Sequence, residues 1–318
     1  MTSRRRAHDP SDAGSRGRRT TPLWLHALAW LLCAATVVLL AAGALVIGTG
    51  SSLAVPDWPL AYGQVFPPLV GGILYEHGHR MIAAAVGLLT VILAVGLGLR
   101  EPRQWVRWLG LGALLAVVLQ GVLGGITVLL LLPKSVSISH ALLAQLFFVL
   151  AVLLTQVTAP GWPALAAGAG SSSGSTRWLG LGTVVALEAE LLLGALVRHN
   201  NAGLIIPDFP LSLGRIVPPL DSFPVTIHYL HRLGAVAVLG LVAATAWLAL
   251  RRHGNDRPLK VRVLWMVLFV LIQVSLGASV IWTQRSLAVT TLHVVNGGLL
   301  MAAAVLAALR AWQLETRR

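Results

Sequence analysis

Four histidines of this 318-residue chain fall into two pairs, His79 with His140 and His231 with His293. The pairs repeat, because His231 follows His79 by 152 residues and His293 follows His140 by 153. A neutral imidazole offers one nitrogen lone pair, and two of them brought to one depth across a helix bundle suit the axial positions of a haem iron. Zinc is a poorer match, since a pair of histidines with no partnering cysteine falls short of a closed tetrahedral site. Any one of the four could instead be a hydrogen-bonded core histidine. Two pairs at matched offsets weigh against that reading, as ionisable groups inside a membrane are costly and usually functional.

Each first histidine is followed by an arginine, Arg80 or Arg232. A guanidinium there could pair with an anionic haem propionate, or it could be an interfacial arginine with its head in water. The two copies then differ. Residues 76–80 read EHGHR and residues 228–232 read HYLHR, so Glu76 aligns with His228. Three residues are nearly one helical turn, which puts Glu76 on the face of His79 and His228 on the face of His231. A carboxylate beside one site only suggests that one half does chemistry while the other handles electrons. The plainer alternative is an acid at a helix N-terminus, favoured by the dipole.

The elements that must position these groups are membrane helices. The chain is 56% hydrophobic and 11% charged, and its apolar residues fall in blocks long enough to span a bilayer. Eight spans are predicted, at 23–49, 78–99, 107–132, 136–158, 178–198, 228–250, 261–283 and 287–309. The blocks are continuously apolar, unlike the alternating strands of a barrel. The net charge of +13 encodes orientation and not a nucleic-acid partner. Eighteen of the 24 Lys and Arg lie in the segments on the side of the termini, against four in the opposite loops. That asymmetry predicts a bacterial-type inner-membrane protein with both termini cytoplasmic and the paired histidines toward the outer face. The single cysteine, Cys33, lies within the first span and excludes an intramolecular disulfide.

An internal repeat organises the chain. Residues 55–68, VPDWPLAYGQVFPP, match residues 206–219, IPDFPLSLGRIVPP, at an offset of 151. Gly43 to Val46 match Gly194 to Val197, and Gln120 and Gly124 match Gln273 and Gly277. The expected organisation is a disordered basic tail (1–22), a four-helix half (23–159), a Gly/Ser-rich cytoplasmic linker (160–176), a second four-helix half (177–312) and a short tail (313–318). The fold class is all-α, with two four-helix bundles related by a pseudo-twofold along the membrane normal. Each proline-rich loop is expected to fold back over the mouth of its own bundle.

These features resemble haem A synthase: the eight-span duplication, the EHGHR and HYLHR helix starts, the later paired histidines and the PDWP and PDFP loops. The resemblance covers essentially residues 23–312. It implies an oxidoreductase that converts the C8 methyl of haem O to a formyl group by successive hydroxylations with water-derived oxygen, for cytochrome c oxidase biogenesis. It implies haem O as substrate between His79 and His140 in the first half, with Glu76 as the catalytic acid. It implies haem b as cofactor on His231 and His293 in the second. Haem O synthase and the cytochrome c oxidase assembly machinery are the implied partners, alongside membrane lipid and an unknown electron acceptor. Some members carry a cysteine pair in the first-half loop; this chain has Ala61 and no cysteine there, which places it in the cysteine-free class and leaves its electron acceptor open.

A dihaem b-type electron carrier would share every feature except Glu76. A transporter built from parallel repeats would want polar groups at the midplane, not near one end. Haem O synthase itself is disfavoured, because the Asp-rich diphosphate-binding clusters of prenyltransferases are missing. His77 and His199 are read as interfacial, and His8 and His253 as cytoplasmic; His26, Glu188 and Glu190 lack repeat partners, and one of the two acids is a candidate proton-path residue. The sequence allows a homo-oligomer without arguing for one.

Overall fold

The computed structural model describes residues 21–162 and 174–316. Most of the 1–22 tail, most of the 160–176 linker and the last two residues of the 313–318 tail therefore lie outside the described residues. Eight α-helices account for nearly all the rest: α1 Leu23–Gly48, α2 Gly72–Arg100, α3 Gln104–Leu129, α4 Lys134–Thr158, α5 Ser175–His199, α6 Phe223–His253, α7 Arg257–Trp282 and α8 Leu287–Glu315. All eight are long and apolar enough to cross a membrane, so this is a multi-pass, all-α membrane protein. Among the described residues the only β-type pairings are two isolated bridges in the long loops.

The helices overrun the apolar blocks. The second helix starts at Gly72 where hydropathy places residue 78, the sixth at Phe223 where it places 228, and the last runs to Glu315 where it places 309. The cause is physical: hydropathy marks where lipid begins, whereas backbone hydrogen bonding continues through polar turns such as Glu76 to Arg80. The polar N-terminal turns of α2 and α6 are thus helical, and their side chains project from regular positions.

Within each half the helices pack in a ring, α1 on α2, α2 on α3, α3 on α4 and α4 on α1, with α5 to α8 doing the same. Leu25, Leu32, Leu93, Leu97, Phe148 and Leu154 fill the first core, and Val242, Met266, Val270, Leu300 and Met301 the second. Between the halves, α8 lies against α1 and α4, and α4 also meets α5. Helix α8 is the most buried span and presents small residues here: Ala302, Ala303 and Ala304 are buried, and a Cβ on Gly298 would sit 2.7 Å from Gln145 Oε1 of α4. Small side chains let membrane helices approach closely where no hydrophobic effect drives them together. Among the described residues, three polar contacts tie the halves: Arg198 donates to the Ala44 carbonyl (2.8 Å), Lys134 to Asn200 Oδ1 (3.0 Å) and Arg262 to Gln156 Oε1 (2.5 Å). The outward faces stay apolar, with Trp30, Leu88, Leu115, Val236 and Trp247 exposed, as lipid-facing surface should be.

At the opposite end from the paired-histidine sites, the α2–α3 turn closes on a buried acid. Glu101 is fully buried, accepts from Thr21 Oγ1 (2.5 Å) and from Arg103 Nε (2.6 Å), and Arg103 also reaches the Val157 carbonyl (2.7 Å). Burial alone would push this carboxyl up; the bonds from Arg103 and Thr21 overcome it and hold it below its ordinary range.

Candidate functional site

The four paired histidines sit on α2, α4, α6 and α8, each roughly two turns inside the helix end on the side of the long loops. In the second half the rings of His231 and His293 face each other with centroids 6.5 Å apart and planes at 84°. Two metal–nitrogen bonds of roughly 2 Å, plus the half-width of each ring, come to about that separation. The pair is spaced for one ion between two imidazoles.

A glycine from the neighbouring helix lies under every ring. An idealised Cβ would come within 3.2 Å of His79 at Gly43, 3.2 Å of His231 at Gly194, 3.4 Å of His140 at Gly124 and 3.3 Å of His293 at Gly277. These glycines occupy matched places in the two halves, and a side chain at any of them would press on the imidazole. The Nδ1 atoms of all four rings are buried without a well-formed hydrogen bond. The Leu39, Gln120 and Gln273 carbonyls lie beside the rings of His79, His140 and His293. Nδ1 thus turns into the protein, and Nε2 is the nitrogen left for a ligand at His79, His140 and His231, while that of His293 meets Gln273. Among the described residues no three His, Cys, Asp or Glu side chains converge as a metal cage would require. A donor set of two opposed imidazoles fits a haem, whose porphyrin supplies the other four ligands.

Around these rings the repeat is imperfect. Gln120 Nε2 donates to the His140 carbonyl (2.9 Å). Its counterpart Gln273 instead comes within 3.3 Å of His293 Nε2 and accepts from Asn296 Nδ2 (2.8 Å).

Glu76 and His228 are both 4% exposed and fill the same slot in their halves. Both oxygens of Glu76 are engaged: Oε1 with Arg80 at 2.6 Å, and Oε2 with the Val55 amide at 2.8 Å. His228 Nε2 accepts from Arg232 Nε at 3.3 Å. The two arginines turn out to be clasps for the long loops. Arg80 donates to the carbonyls of Asp57, Leu60 and Val55 (2.7, 2.9 and 3.2 Å). Arg232 donates to those of Asp208, Leu211 and Ile206 (2.8, 2.9 and 2.8 Å). Sequence reasoning gave these residues a charge to offer a ligand and missed the backbone acceptors, which no motif marks.

The loops themselves are built identically. Asp57 accepts from the amides of Tyr62 and Gly63 (2.7 and 2.8 Å), and Asp208 from those of Leu213 and Gly214 (both 2.7 Å). Those amides belong to tight turns with positive φ at Tyr62 (52°) and Gly63 (70°), and at Leu213 (56°) and Gly214 (72°). The Gly63 and Tyr62 amides, with Arg80, hold the Asp57 carboxyl below its ordinary range, and Gly214, Leu213 and Arg232 do the same for Asp208. Both loops contain a cis X–Pro bond, Trp58–Pro59 and Phe209–Pro210. His77, read as interfacial from sequence, is buried beneath its loop with Nε2 3.0 Å from the Val65 carbonyl.

Three further groups went unassigned from sequence. His26 Nδ1 meets Thr158 Oγ1 at 3.1 Å, tying α1 to α4 away from the paired histidines. Glu190 comes from α5 to within 2.8 Å of His231 Nδ1, whereas Glu188 stands apart from both pairs of rings without an ion-pair partner among the described residues.

The chain is similar to known proteins over most of its length. The family model described as "Cytochrome oxidase assembly protein" matches residues 71–305. A protein named Heme A synthase from Alkalihalophilus pseudofirmus is 30% identical over 273 residues, covering 84% of this chain and 90% of its own length. One of the same name from Halalkalibacterium halodurans is 31% identical over 273 residues, covering 81% and 87%. A third, from Symbiobacterium thermophilum, is 32% identical over 229 residues, covering 70% and 74%.

Proposed function

The chain belongs to the cytochrome oxidase assembly protein family, and on that footing we propose that it is a haem A synthase, an oxidoreductase acting on haem O in cytochrome oxidase assembly. The observation that carries the proposal at the level of residues is the slot shared by Glu76 and His228, which holds a carboxylate in one half and an imidazole in the other.

In this reading the first half, 23–159, holds the substrate haem O between His79 and His140, and the second half, 177–312, holds the resident haem on His231 and His293. The resident group is haem b, which when bound supplies one-electron transfer. The chain's own residues do the rest. His79 and His140 would hold the haem O iron, with Gly43 and Gly124 setting how far each imidazole can retreat. Arg80 and Arg232 hold the long loops by their backbone carbonyls and would offer positive charge to an anionic propionate brought beside them.

Glu76 is a fixed anion one turn from His79. Oxidation of the C8 methyl removes two electrons and leaves the carbon electron-poor. A carboxylate pinned by Arg80 and the Val55 amide stabilises that charge without having to reorganise. Water then adds and releases two protons to give the alcohol. A second round adds another water and removes two more electrons and two protons to give the geminal diol, and loss of water from that diol gives the aldehyde. As a base, Glu76 would have to release one of its two present partners first; electrostatic stabilisation needs no such movement. The electrons leave by way of the second half to an acceptor other than a loop disulfide, since the loop holds no cysteine.

Orientation follows the charge asymmetry: an inner-membrane protein with both termini cytoplasmic and both haem sites toward the outer face, the halves related by a pseudo-twofold along the membrane normal. Haem O synthase is the expected supplier of substrate.

The test is co-expression with a haem O synthase in a host that makes no haem A, followed by haem extraction and chromatography. Haem A or its hydroxylated precursor is the expected product, and growth in labelled water should place the label in the new oxygen. Bound haem B with unmodified haem O would move the assignment to a dihaem electron carrier.

A further inference from the structure

Glu190 is the one acidic side chain among the described residues that approaches an imidazole of either pair. Its Oε1 lies 2.8 Å from His231 Nδ1, and neither of its oxygens has any other polar partner. The approach is short but bent, so that it falls outside hydrogen-bond angles. A buried carboxylate with no partner is costly, which makes His231 the group that this acid is there to meet.

The space for the carboxylate is also specific. An idealised Cβ at position 234 would lie 2.1 Å from Glu190 Oε2, so only glycine at that place on α6 lets the acid stand beside the ring. In the first half the matched positions are Leu39 and Ile82, neither of them acidic, and the Leu39 backbone carbonyl lies beside the ring of His79. The carboxylate and its glycine therefore occur together, and in one half only.

We propose that Glu190 is a positioning residue for the haem ligand His231: it accepts from Nδ1–H, presents Nε2 to the iron, and gives this one ligand anionic character. This rests on the proposal that His231 and His293 hold the resident haem. A carboxylate behind a ligating imidazole raises the ligand's basicity and favours the ferric state. The resident haem is thereby set at a lower potential than an imidazole backed only by a carbonyl would give.

The experiment is a redox titration of the purified haem-loaded protein, followed by the absorbance of the b-type haem. Glu190→Gln should keep the haem and raise its midpoint. The ratio of oxidised to reduced haem at a fixed potential should fall about tenfold, equivalent to about 59 mV for one electron. Glu188→Gln should leave the midpoint in place. Gly234→Ala should displace the carboxylate and raise the midpoint likewise, and it gives the same reading should Glu190→Gln fail to accumulate. An unchanged midpoint in a haem-loaded Glu190→Gln or Gly234→Ala protein would overturn the proposal. His231→Ala separates the two layers: if it retains the b-type spectrum, the haem assignment itself fails, whatever Glu190 does.

Discussion

Glu76 and His228 stand at the same place in the two halves, each buried and each held by the arginine one turn along its helix, Arg80 at 2.6 Å or Arg232 at 3.3 Å. The duplication kept the slot and the clasp and changed the group between them. A carboxylate carries a full charge to the first site; a histidine bonded to a guanidinium brings none to the second.

Glu76→Gln should therefore lower turnover of haem O by about 100-fold or more, the range for loss of a fixed electrostatic stabiliser or a general base. The b-type spectrum and midpoint of the second half should be unaffected. Single-turnover product analysis by chromatography checks this, and a variant with wild-type turnover would remove Glu76 from the mechanism.

Histidine replacements should separate by half. His231→Ala and His293→Ala are expected to lose the b-type absorbance of the purified protein. His79→Ala and His140→Ala should retain it while losing haem O conversion. Spectra and extracted haem measured on the same four preparations decide the matter; loss of the b-type spectrum from the first-half variants would reverse the assignment of the halves.

The glycines under the rings offer a subtler test. A Cβ at Gly277 would stand 3.3 Å from His293 and one at Gly124 3.4 Å from His140, tight contacts that a methyl group forces the ring to relieve. Gly277→Ala should shift the b-type absorbance or weaken haem retention, and Gly277→Val should abolish retention. Gly124→Ala and Gly124→Val should instead impair haem O conversion in the same order, with the b-type spectrum intact. Equal effects of all four on both readouts would argue for a general packing defect.

At the far end, Glu101 with Arg103 and Thr21 should matter to stability and not to chemistry. Removing one partner of a buried ion pair costs about 3–5 kcal/mol, so Arg103→Ala should lower the thermal midpoint in detergent. The carboxyl is held below its ordinary range, with burial opposing and Arg103 and Thr21 prevailing. Its contribution is then fully present above the unfolded glutamate value of about 4.3 and is lost as pH falls through the lower folded value. Wild-type and Glu101→Gln thermal midpoints should differ most near neutral pH and converge in that acid range.

The repeat, the eight spans and the paired histidines were legible because each is carried by residue type at regular spacing. Hydropathy found every helix but cut α2 and α6 short, since their first turns, with Glu76 in α2, lie outside the apolar blocks. What remained hidden depends on partners distant in sequence. Arg80 finds its acceptors among loop carbonyls some twenty residues away, and Gly234 matters only because Glu190 arrives from another helix. The glycines under the rings did leave a trace, as Gly43, Gly124, Gly194 and Gly277 recur at the repeat offset. Their offset showed that they matched; only the packing shows that each one faces an imidazole.

The seam between the halves has a consequence for how the chain can be made. Helix α8 is locked against α1 and α4 by small residues, with Gly298 against Gln145 and three polar ties besides. The packing of α8 on α1 and α4 supports assembly of the two halves by lateral recognition within the bilayer, so a break in the chain between 162 and 174 should be tolerated. Fragments 1–162 and 174–318, produced from separate messages, should find each other and co-purify through a tag on either one. The active molecule can then be treated as a heterodimer whose subunits happen to share one gene.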